Sequence, residues 1–233
     1  CNVGYIKAKQ QLELRLLYGM YPDVITNFGN EYEILKNLVS SYLYKDILSL
    51  AGIRKSEVLE KILQALALQI GSEVSYNEVA QLVGIDKNTV SNYIDLLEKA
   101  FVVFRLNSFS RNVRNEIKAN RKIYFYDNGV RNMLIGNFNN LEFRQDKGAL
   151  WENFLVSERM KMLSYTDSLA KPYFWRTTQQ QEIDYIETVA DEVNAFEFKW
   201  ASLKKSKLPK PFEEAYHPKF WVVTKENFRE FLK

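Results

Sequence analysis

EIDYIETVADEVNAFEFKW, residues 182–200, consists of two apolar-alternating runs joined by a polar turn. Successive side chains of a strand point to opposite faces, so Glu197 and Lys199 share one face of the second run, while its aromatic residues share the other and enter a core. If the two runs pair as neighbouring strands, Asp184 comes close to this acid–lysine pair. The stretch therefore predicts a β-hairpin that brings two carboxylates and an ammonium group together at one edge of a sheet.

Two carboxylates and a lysine in this arrangement are suited to metal-dependent hydrolysis of phosphodiesters. Mg²⁺ keeps several waters and takes one or two protein carboxylates; Asp184 and Glu197 would bind Mg²⁺ or Mn²⁺. Lys199 would position the attacking water and offset the developing charge. An upstream helix in WENFLVSERMK offers a further carboxylate, for which Glu152 is preferred to Glu158. The alternative is a surface acid–lysine pair on an edge strand, which contributes little energy.

A helix, a glycine turn and a second helix are predicted before this region. Ser75 and Glu78 form a capping box at the start of the first helix. Gly84 supplies the turn, and Asp86 can cap the second helix. Two strand-like runs follow, FVVFRLN and KIYFYD, separated by a polar loop. This order of elements predicts a winged helix–turn–helix.

The second helix and the loop between the two strands carry candidate contacts to DNA. The outer face of the helix would offer polar side chains to base edges, although Asp95 would repel phosphate. Residues 105–122 hold six basic residues and one acidic residue around Phe109, a composition suited to backbone contact and base stacking. The candidate contacts are Lys87, Asn88, Ser91, Asn92, Arg111, Arg114, Lys118 and Arg121. The alternative is a module for packing or protein docking with a solvated loop.

Composition excludes several other classes of protein. A net charge of +3 gives no global basic field. One cysteine, Cys1, and one histidine, His217, exclude an internal disulfide framework and a Cys/His zinc cluster. No apolar run could span a bilayer and no signal peptide is visible, so a cytoplasmic protein without a membrane partner is expected. A start at Cys1 instead of Met predicts a piece of a longer protein.

The residues described so far resemble a known superfamily. EID (182–184) and EFK (197–199) are similar to the PD-(D/E)XK, or restriction-endonuclease-like, pattern. The whole chain resembles the C-terminal portion of a group of prokaryotic AAA-type ATPases, in which a P-loop core is followed by a domain of unknown function with this nuclease-like fold. The resembling segments are YGMYPDVI, SYLYKDIL, ALALQIGSEVSYNEVAQLVGI, YIDLLEKAFVVFRL, KIYFYDNGVRN, GALWENFLVSE, YFWRTTQQQEIDYIE and FEFKW.

The resemblance implies an α+β fold in three parts and a role next to an ATPase. Residues 1–50 would be the helical tail of a truncated ATPase module, 51–135 the winged helix–turn–helix and 136–233 the nuclease-like domain. The chain has no GxxxxGK(S/T) motif, so ATP would act only through a domain that this chain lacks. Asp184, Glu197, Lys199 and Glu152 match the superfamily's metal-binding acids, lysine and helix acid. The rival functions are a non-catalytic DNA- or protein-binding module and a helix–turn–helix regulator.

Overall fold

The computed structural model of the 233-residue chain describes residues 2–47, 56–110, 121–201 and 206–233. Over these residues the fold is α+β with a mixed seven-stranded sheet, which confirms the predicted fold class. The helices are α1 (Asn2–Tyr18), α2 (Pro22–Thr26), α3 (Glu31–Leu38), α4 (Ser56–Leu68), α5 (Tyr76–Val83), α6 (Lys87–Lys99), α7 (Asn128–Leu134), α8 (Lys147–Tyr165), α9 (Lys210–Tyr216) and α10 (Phe228–Phe231). A π-helical stretch, Val39–Asp46, continues α3. The strands are β1 (Glu73–Val74), β2 (Val103–Ser108), β3 (Arg121–Phe125), β4 (Lys171–Arg176), β5 (Glu182–Val189), β6 (Glu192–Phe198) and β7 (Lys219–Val223).

The sheet joins the two halves of the chain. Its strand order is β1-β3-β2-β4-β5-β6-β7. The pairs β2/β4 and β6/β7 are parallel, and the other neighbours are antiparallel. Strands β2 and β3 belong to the predicted winged helix–turn–helix, whereas β4 to β7 belong to the predicted C-terminal domain. Hydrogen bonding between β2 and β4 therefore carries the sheet across the predicted boundary at residues 135/136.

The helix–turn–helix forms as its caps predict. The Ser75 hydroxyl accepts a hydrogen bond from the Glu78 N–H at 3.4 Å, and Asp86 accepts one from the Thr89 N–H at 2.9 Å. Gly84 ends α5 with a φ of 78°, which a residue with a side chain rarely adopts. The inner face of α6, formed by Val90, Ile94 and Leu97, is fully buried.

A close contact fixes the end of α1 against the start of α7. Asp127 caps α7 by accepting from the Val130 N–H at 3.0 Å and also accepts from the Met20 N–H at 2.6 Å. Gly129 lies so near α1 that an added Cβ would stand 2.1 Å from the Tyr18 carbonyl oxygen. The two helices can dock at this distance only because residue 129 has no side chain.

Two hydrophobic clusters enclose the central strands. Trp151 and Leu155 of α8 pack with Phe198 and Tyr185 in one cluster, while Ile186 packs with α9 in another. Because Tyr185 and Ile186 are adjacent in β5, they point to opposite faces, and the strand is buried on both. Phe196 and Trp200 pack against the same cluster as Phe198, as predicted. Within the described residues, no helix has the length and apolar character needed to cross a bilayer.

Candidate functional site

The hairpin of β5 and β6 places the first two carboxylates. Its antiparallel ladder ends at the pair Tyr185 and Phe196, and Asp184 and Glu197 are the next residues of the two strands beyond that pair. The Asp184 Oδ2 atom accepts a hydrogen bond from the Phe198 N–H at 2.7 Å, which fixes the carboxylate at the end of β6.

Lys199 follows β6 and pairs with the second carboxylate. Its backbone N–H donates to the Val223 carbonyl of β7 at 2.9 Å, so the residue is held in the sheet. Its Nζ atom lies 2.5 Å from Glu197 Oε1. Partial burial opposes the charge of the ammonium group, but Glu197 more than offsets this effect and raises the pKa of Lys199. Lys199 is therefore a cation at neutral pH.

Helix α8 brings Glu152 to the same place. Asn153 clamps the helix to β3, since its side chain accepts from the Phe125 N–H at 2.8 Å and donates to the Phe125 carbonyl at 3.0 Å. The preceding residue, Glu152, then faces the sheet, while Glu158 pairs with Lys161 at 2.6 Å. Glu152 is thus the α8 carboxylate that lies beside the hairpin acids.

Three residues that the sequence reasoning missed complete the group. The Glu152 Oε1 atom accepts from Lys122 Nζ at 2.8 Å and from the Tyr124 hydroxyl at 2.6 Å. Lys122 Nζ also lies 2.5 Å from Glu182 Oε1. The signal was the alternation of KIYFYD, in which Lys122 and Tyr124 share one face of β3. We call Glu152, Glu182, Asp184, Glu197, Lys122 and Lys199 the acid–lysine cluster.

Asp184 is the carboxylate of the cluster whose negative charge is least offset by nearby cations. Burial raises its pKa well above the ordinary value, and the nearby Glu152 and Glu197 raise it further. Lys122 and the Phe198 N–H act in the opposite direction but do not cancel these effects. Asp184 forms no ion pair with a described lysine or arginine. Without another cation, this carboxyl retains a proton to a higher pH than an ordinary aspartate.

The donor set fits a divalent ion with few protein ligands. Among the described residues, no group of three or more His, Cys, Asp or Glu side chains is arranged to hold a metal. Mg²⁺ needs less, because it commonly takes one or two carboxylates and completes its shell with water and substrate phosphate. Asp184 and Glu197 provide such a pair, and a cation beside Asp184 would favour the ionised form that burial and the neighbouring acids disfavour.

The predicted DNA contacts on α6 lie at the surface. Lys87, Asn88 and Asn92 are exposed, and Ser91 is partly exposed. Asp95, which was expected to repel phosphate, pairs with Arg105 at 2.5 Å, and Arg105 also pairs with Glu98 at 2.5 Å. Asp95 is thereby partly neutralised by a cation from β2.

The basic loop differs in part from its sequence interpretation. Arg121 is partly exposed in β3, whereas Arg111, Arg114 and Lys118 lie outside the described residues. Two other basic residues counted in the loop are engaged within the fold: Arg105 pairs with α6, and Lys122 is 1% exposed inside the acid–lysine cluster. Phe109 is also no open platform for base stacking, because its ring packs against Tyr173, Phe212 and Tyr216.

Comparisons with known proteins identify relatives whose function is not described. The chain is 27% identical over 184 residues to an uncharacterized protein of Haemophilus influenzae, covering 76% of this chain and 42% of that protein. It is 26% identical over 166 residues to one of Mycobacterium tuberculosis, covering 70% and 37%. An uncharacterized protein of Methanocaldococcus jannaschii is 23% identical over 176 residues, covering 72% and 37%. The chain thus spans about two fifths of the length of these relatives.

Two family models match successive parts of the chain. Residues 147–232 are similar to a domain of unknown function (DUF4143). No solved structure matches the chain significantly. The first model matches residues 9–141, more than half of the chain. The chain belongs to the family of that model, the domain of unknown function DUF8612.

Proposed function

We propose that this chain is the nucleic-acid-handling part of a longer ATPase and that its acid–lysine cluster hydrolyses phosphodiester bonds with Mg²⁺ or Mn²⁺. The convergence of Asp184, Glu197 and Lys199 with Glu152 of α8 carries this proposal. The residues come from three separate elements, so the grouping is a property of the fold and not of one local sequence. A surface acid–lysine pair, by contrast, requires no buried and uncompensated aspartate beside it.

Each residue of the cluster has a role that follows from its charge and contacts. Asp184 and Glu197 would hold the ion, which supplies Lewis acidity and lowers the pKa of a bound water. Lys199 is protonated, so it would orient the attacking water and stabilise negative charge on the phosphate instead of removing a proton. Glu152 already accepts from Lys122 and Tyr124, which holds its carboxylate beside Asp184.

The longer protein is proposed to contain an AAA-type ATPase module outside this chain. The relatives are more than twice as long as the segment they share with it. Residues 147–232 match DUF4143, and the chain resembles proteins in which such a domain follows a P-loop core. ATP would then act through that module, while this chain would contact the nucleic acid.

A cleavage assay tests the hydrolytic function. Labelled single-stranded DNA, double-stranded DNA and RNA are incubated with the protein and Mn²⁺ or Mg²⁺, beside Asp184→Ala and Lys199→Ala. We expect cleavage by the wild type that falls by at least about 100-fold in both variants, a loss typical of removing a charge-stabilising group. Lys219→Ala is the matched control, because Lys219 also pairs with a glutamate of β6, at 2.9 Å, but on the exposed surface. Cleavage that persists in Asp184→Ala would point to a contaminating nuclease.

A non-catalytic binding module is the second candidate, favoured by the exposed polar face of α6. This function requires nucleic-acid binding without hydrolysis and without dependence on Asp184. Fluorescence anisotropy with labelled duplex in EDTA separates the two candidates. Binding that is equal in wild type and Asp184→Ala, together with no cleavage in any metal, would favour the binding module. A sequence preference among duplexes would favour a regulator.

A further inference from the structure

Lys122 brings a permanent positive charge from β3 into the acid–lysine cluster. Its side chain is 1% exposed, and its Nζ atom lies 2.8 Å from Glu152 Oε1 and 2.5 Å from Glu182 Oε1. The ammonium group also lies 5.4 Å from the centre of the Phe174 ring. A cation between two carboxylates and over an aromatic face is held from several sides.

The electrostatics of the cluster keep this lysine charged. Burial opposes its charge, but Glu152 and then Glu182 more than offset that effect and raise the pKa of Lys122. When all four carboxyl groups of the cluster are ionised, they exceed the two ammonium groups by two negative charges. The repulsion between the carboxylates disfavours the ionised form of Asp184, since Glu152 and Glu197 both raise its pKa.

A divalent ion and a lysine ammonium compete for the same kind of place. Both bind where carboxylate oxygens converge. They cannot occupy one such position together, because like charges repel strongly in a buried site. The Glu152 Oε1 atom already receives hydrogen bonds from Lys122 and Tyr124. An ion between Glu152 and Glu182 would have to displace the ammonium group.

We infer that the Lys122 ammonium group fills a cation position between Glu152 and Glu182, so that the cluster binds one divalent ion fewer than it would without this lysine. The inference rests on the proposed function in that Asp184 and Glu197 remain the place for the ion that serves hydrolysis. Lys122 lies in the part of the chain matched by DUF8612, whereas Glu152 and Glu182 lie in the part matched by DUF4143. The first family region would therefore set the metal content of a site built mainly by the second.

The test is the number of Mn²⁺ ions bound per chain. Chelator-treated protein is titrated with Mn²⁺, and free Mn²⁺ is read from its electron paramagnetic resonance signal. Lys122→Met removes the charge and keeps most of the stem, and we expect it to bind one ion more than the wild type. Lys122→Arg keeps the charge and should bind the wild-type number.

Arg159→Met is the control for loss of a buried ion pair as such. Arg159 of α8 binds Glu187 of β5 at 2.7 Å, and Glu187 is 4% exposed. This variant should keep the wild-type number of ions. An additional ion in Arg159→Met as well would show that any buried glutamate freed of its partner takes up Mn²⁺, and the inference would be overturned.

The counts separate this inference from the proposed function. One ion in the wild type and two in Lys122→Met support both. Equal numbers in the two proteins overturn the inference, whatever the wild-type count. No ion in the wild type and one in Lys122→Met would support the inference but contradict the proposed function, because the lysine would then replace the only ion. The inference is therefore also overturned if the wild type already binds two ions and Lys122→Met binds no more than two.

Lys122→Met could lose its fold in chelator, because it leaves two glutamates without a partner. Circular dichroism monitors this, and Lys122→Gln, whose amide can donate to both carboxylates, serves as the second variant. If both variants unfold in EDTA, refolding on addition of Mn²⁺ supports the inference, since the ion then replaces the ammonium group. Failure of millimolar Mn²⁺ to restore the fold of either variant contradicts it.

Discussion

The Asp184 carboxyl accepts one backbone hydrogen bond, and the repulsion from Glu152 and Glu197 outweighs the attraction of Lys122. Its raised pKa means that the folded protein holds a proton more tightly than the unfolded chain at this residue. Below the ordinary aspartate pKa of about 3.9 both states are protonated, and Asp184 has no effect on stability. As the pH rises through the window between that value and the raised folded-state pKa, the free energy of unfolding decreases. Asp184 therefore destabilises the metal-free fold at neutral and alkaline pH.

Asp184→Asn should remove this penalty. The amide oxygen can still accept from the Phe198 N–H, while the charge that Glu152 and Glu197 repel is gone. We expect the variant to be more stable than the wild type in EDTA at pH 8, by on the order of 1 kcal/mol, and the difference to vanish towards pH 4. Urea unfolding at a series of pH values measures it.

Asp191→Asn is the control for this measurement, because Asp191 is exposed in the turn between β5 and β6. It should follow the wild type at every pH. If Asp184→Asn is no more stable than the wild type at pH 8 without metal, the carboxylates do not repel one another as described. That result would weaken the case for a cation at Asp184.

The residues of the cluster differ in how far the sequence could indicate them. Asp184, Glu197 and Lys199 follow from strand alternation within one hairpin, and that local pattern is visible in the chain. Lys122 was counted among the six basic residues of a loop suited to contact with nucleic acid. Its burial depends on Glu152 and Glu182, which are distant in sequence and approach only when β3, α8 and β5 assemble.

At the scale of elements, the docking of α1 on α7 depends on Gly129. The residue is helical, so its backbone geometry would accept alanine, but the added Cβ would lie 2.1 Å from the Tyr18 carbonyl oxygen. This neighbour is backbone and cannot rotate away. We expect Gly129→Ala to lower the free energy of unfolding by about 1–3 kcal/mol, the usual range for overpacking.

Gly148→Ala is the matched control for this change. Gly148 is also helical, exposed in α8, and an added Cβ would meet nothing within 4 Å. Alanine should stabilise the protein there by up to about 1 kcal/mol, because it favours the helix over glycine. Thermal unfolding of both variants checks the opposite signs. A neutral Gly129→Ala would show that α1 can shift away from α7 without cost.

The exposed face of α6 makes a separate prediction for nucleic-acid binding. Lys87 lies at the start of the helix beside exposed Asn88. If Lys87 contacts one phosphate, Lys87→Gln should weaken binding to all duplexes alike and reduce the slope of log K against log salt concentration by about 1. Anisotropy titrations between low and moderate salt measure the slope. Lys219→Gln, which removes a surface charge from β7, should leave it unchanged; an unchanged slope in Lys87→Gln would exclude a phosphate contact at Lys87.

The sequence predicted elements better than it predicted their assembly. Ser75, Gly84 and Asp86 mark the helix–turn–helix because caps and turns are local. The strands at 103–108 and 121–125 were also expected, but as a separate wing. The parallel pairing of β2 with β4 could not be predicted, since the pairing of distant strands depends on which faces the whole chain must bury.

At the scale of the whole molecule, the regions matched by the two family models share one sheet and several buried polar contacts. Asn107 pairs with Tyr173 across the β2/β4 junction, and Asn153 binds the backbone of Phe125 through two hydrogen bonds. Lys122 binds Glu152 and Glu182 across the same junction. Separating the regions would expose an unpaired strand and leave buried charges without partners, each at a cost of several kcal/mol.

We therefore expect the two regions to fold as one unit. Chains that comprise residues 1–146 and 147–233 should each show weak near-ultraviolet circular dichroism and little protection from hydrogen exchange, and the full chain should unfold in a single transition by calorimetry and by fluorescence. Lys122 links this prediction to the site, because a fragment that begins at residue 147 lacks the cation between Glu152 and Glu182. A stably folded 147–233 fragment would mean that Glu152 and Glu182 do not need the Lys122 ammonium group of β3 as a partner. Two transitions in the full chain would likewise show that the β2/β4 junction does not couple the regions, and nucleic-acid binding by residues 1–146 alone could then be separated from the acid–lysine cluster.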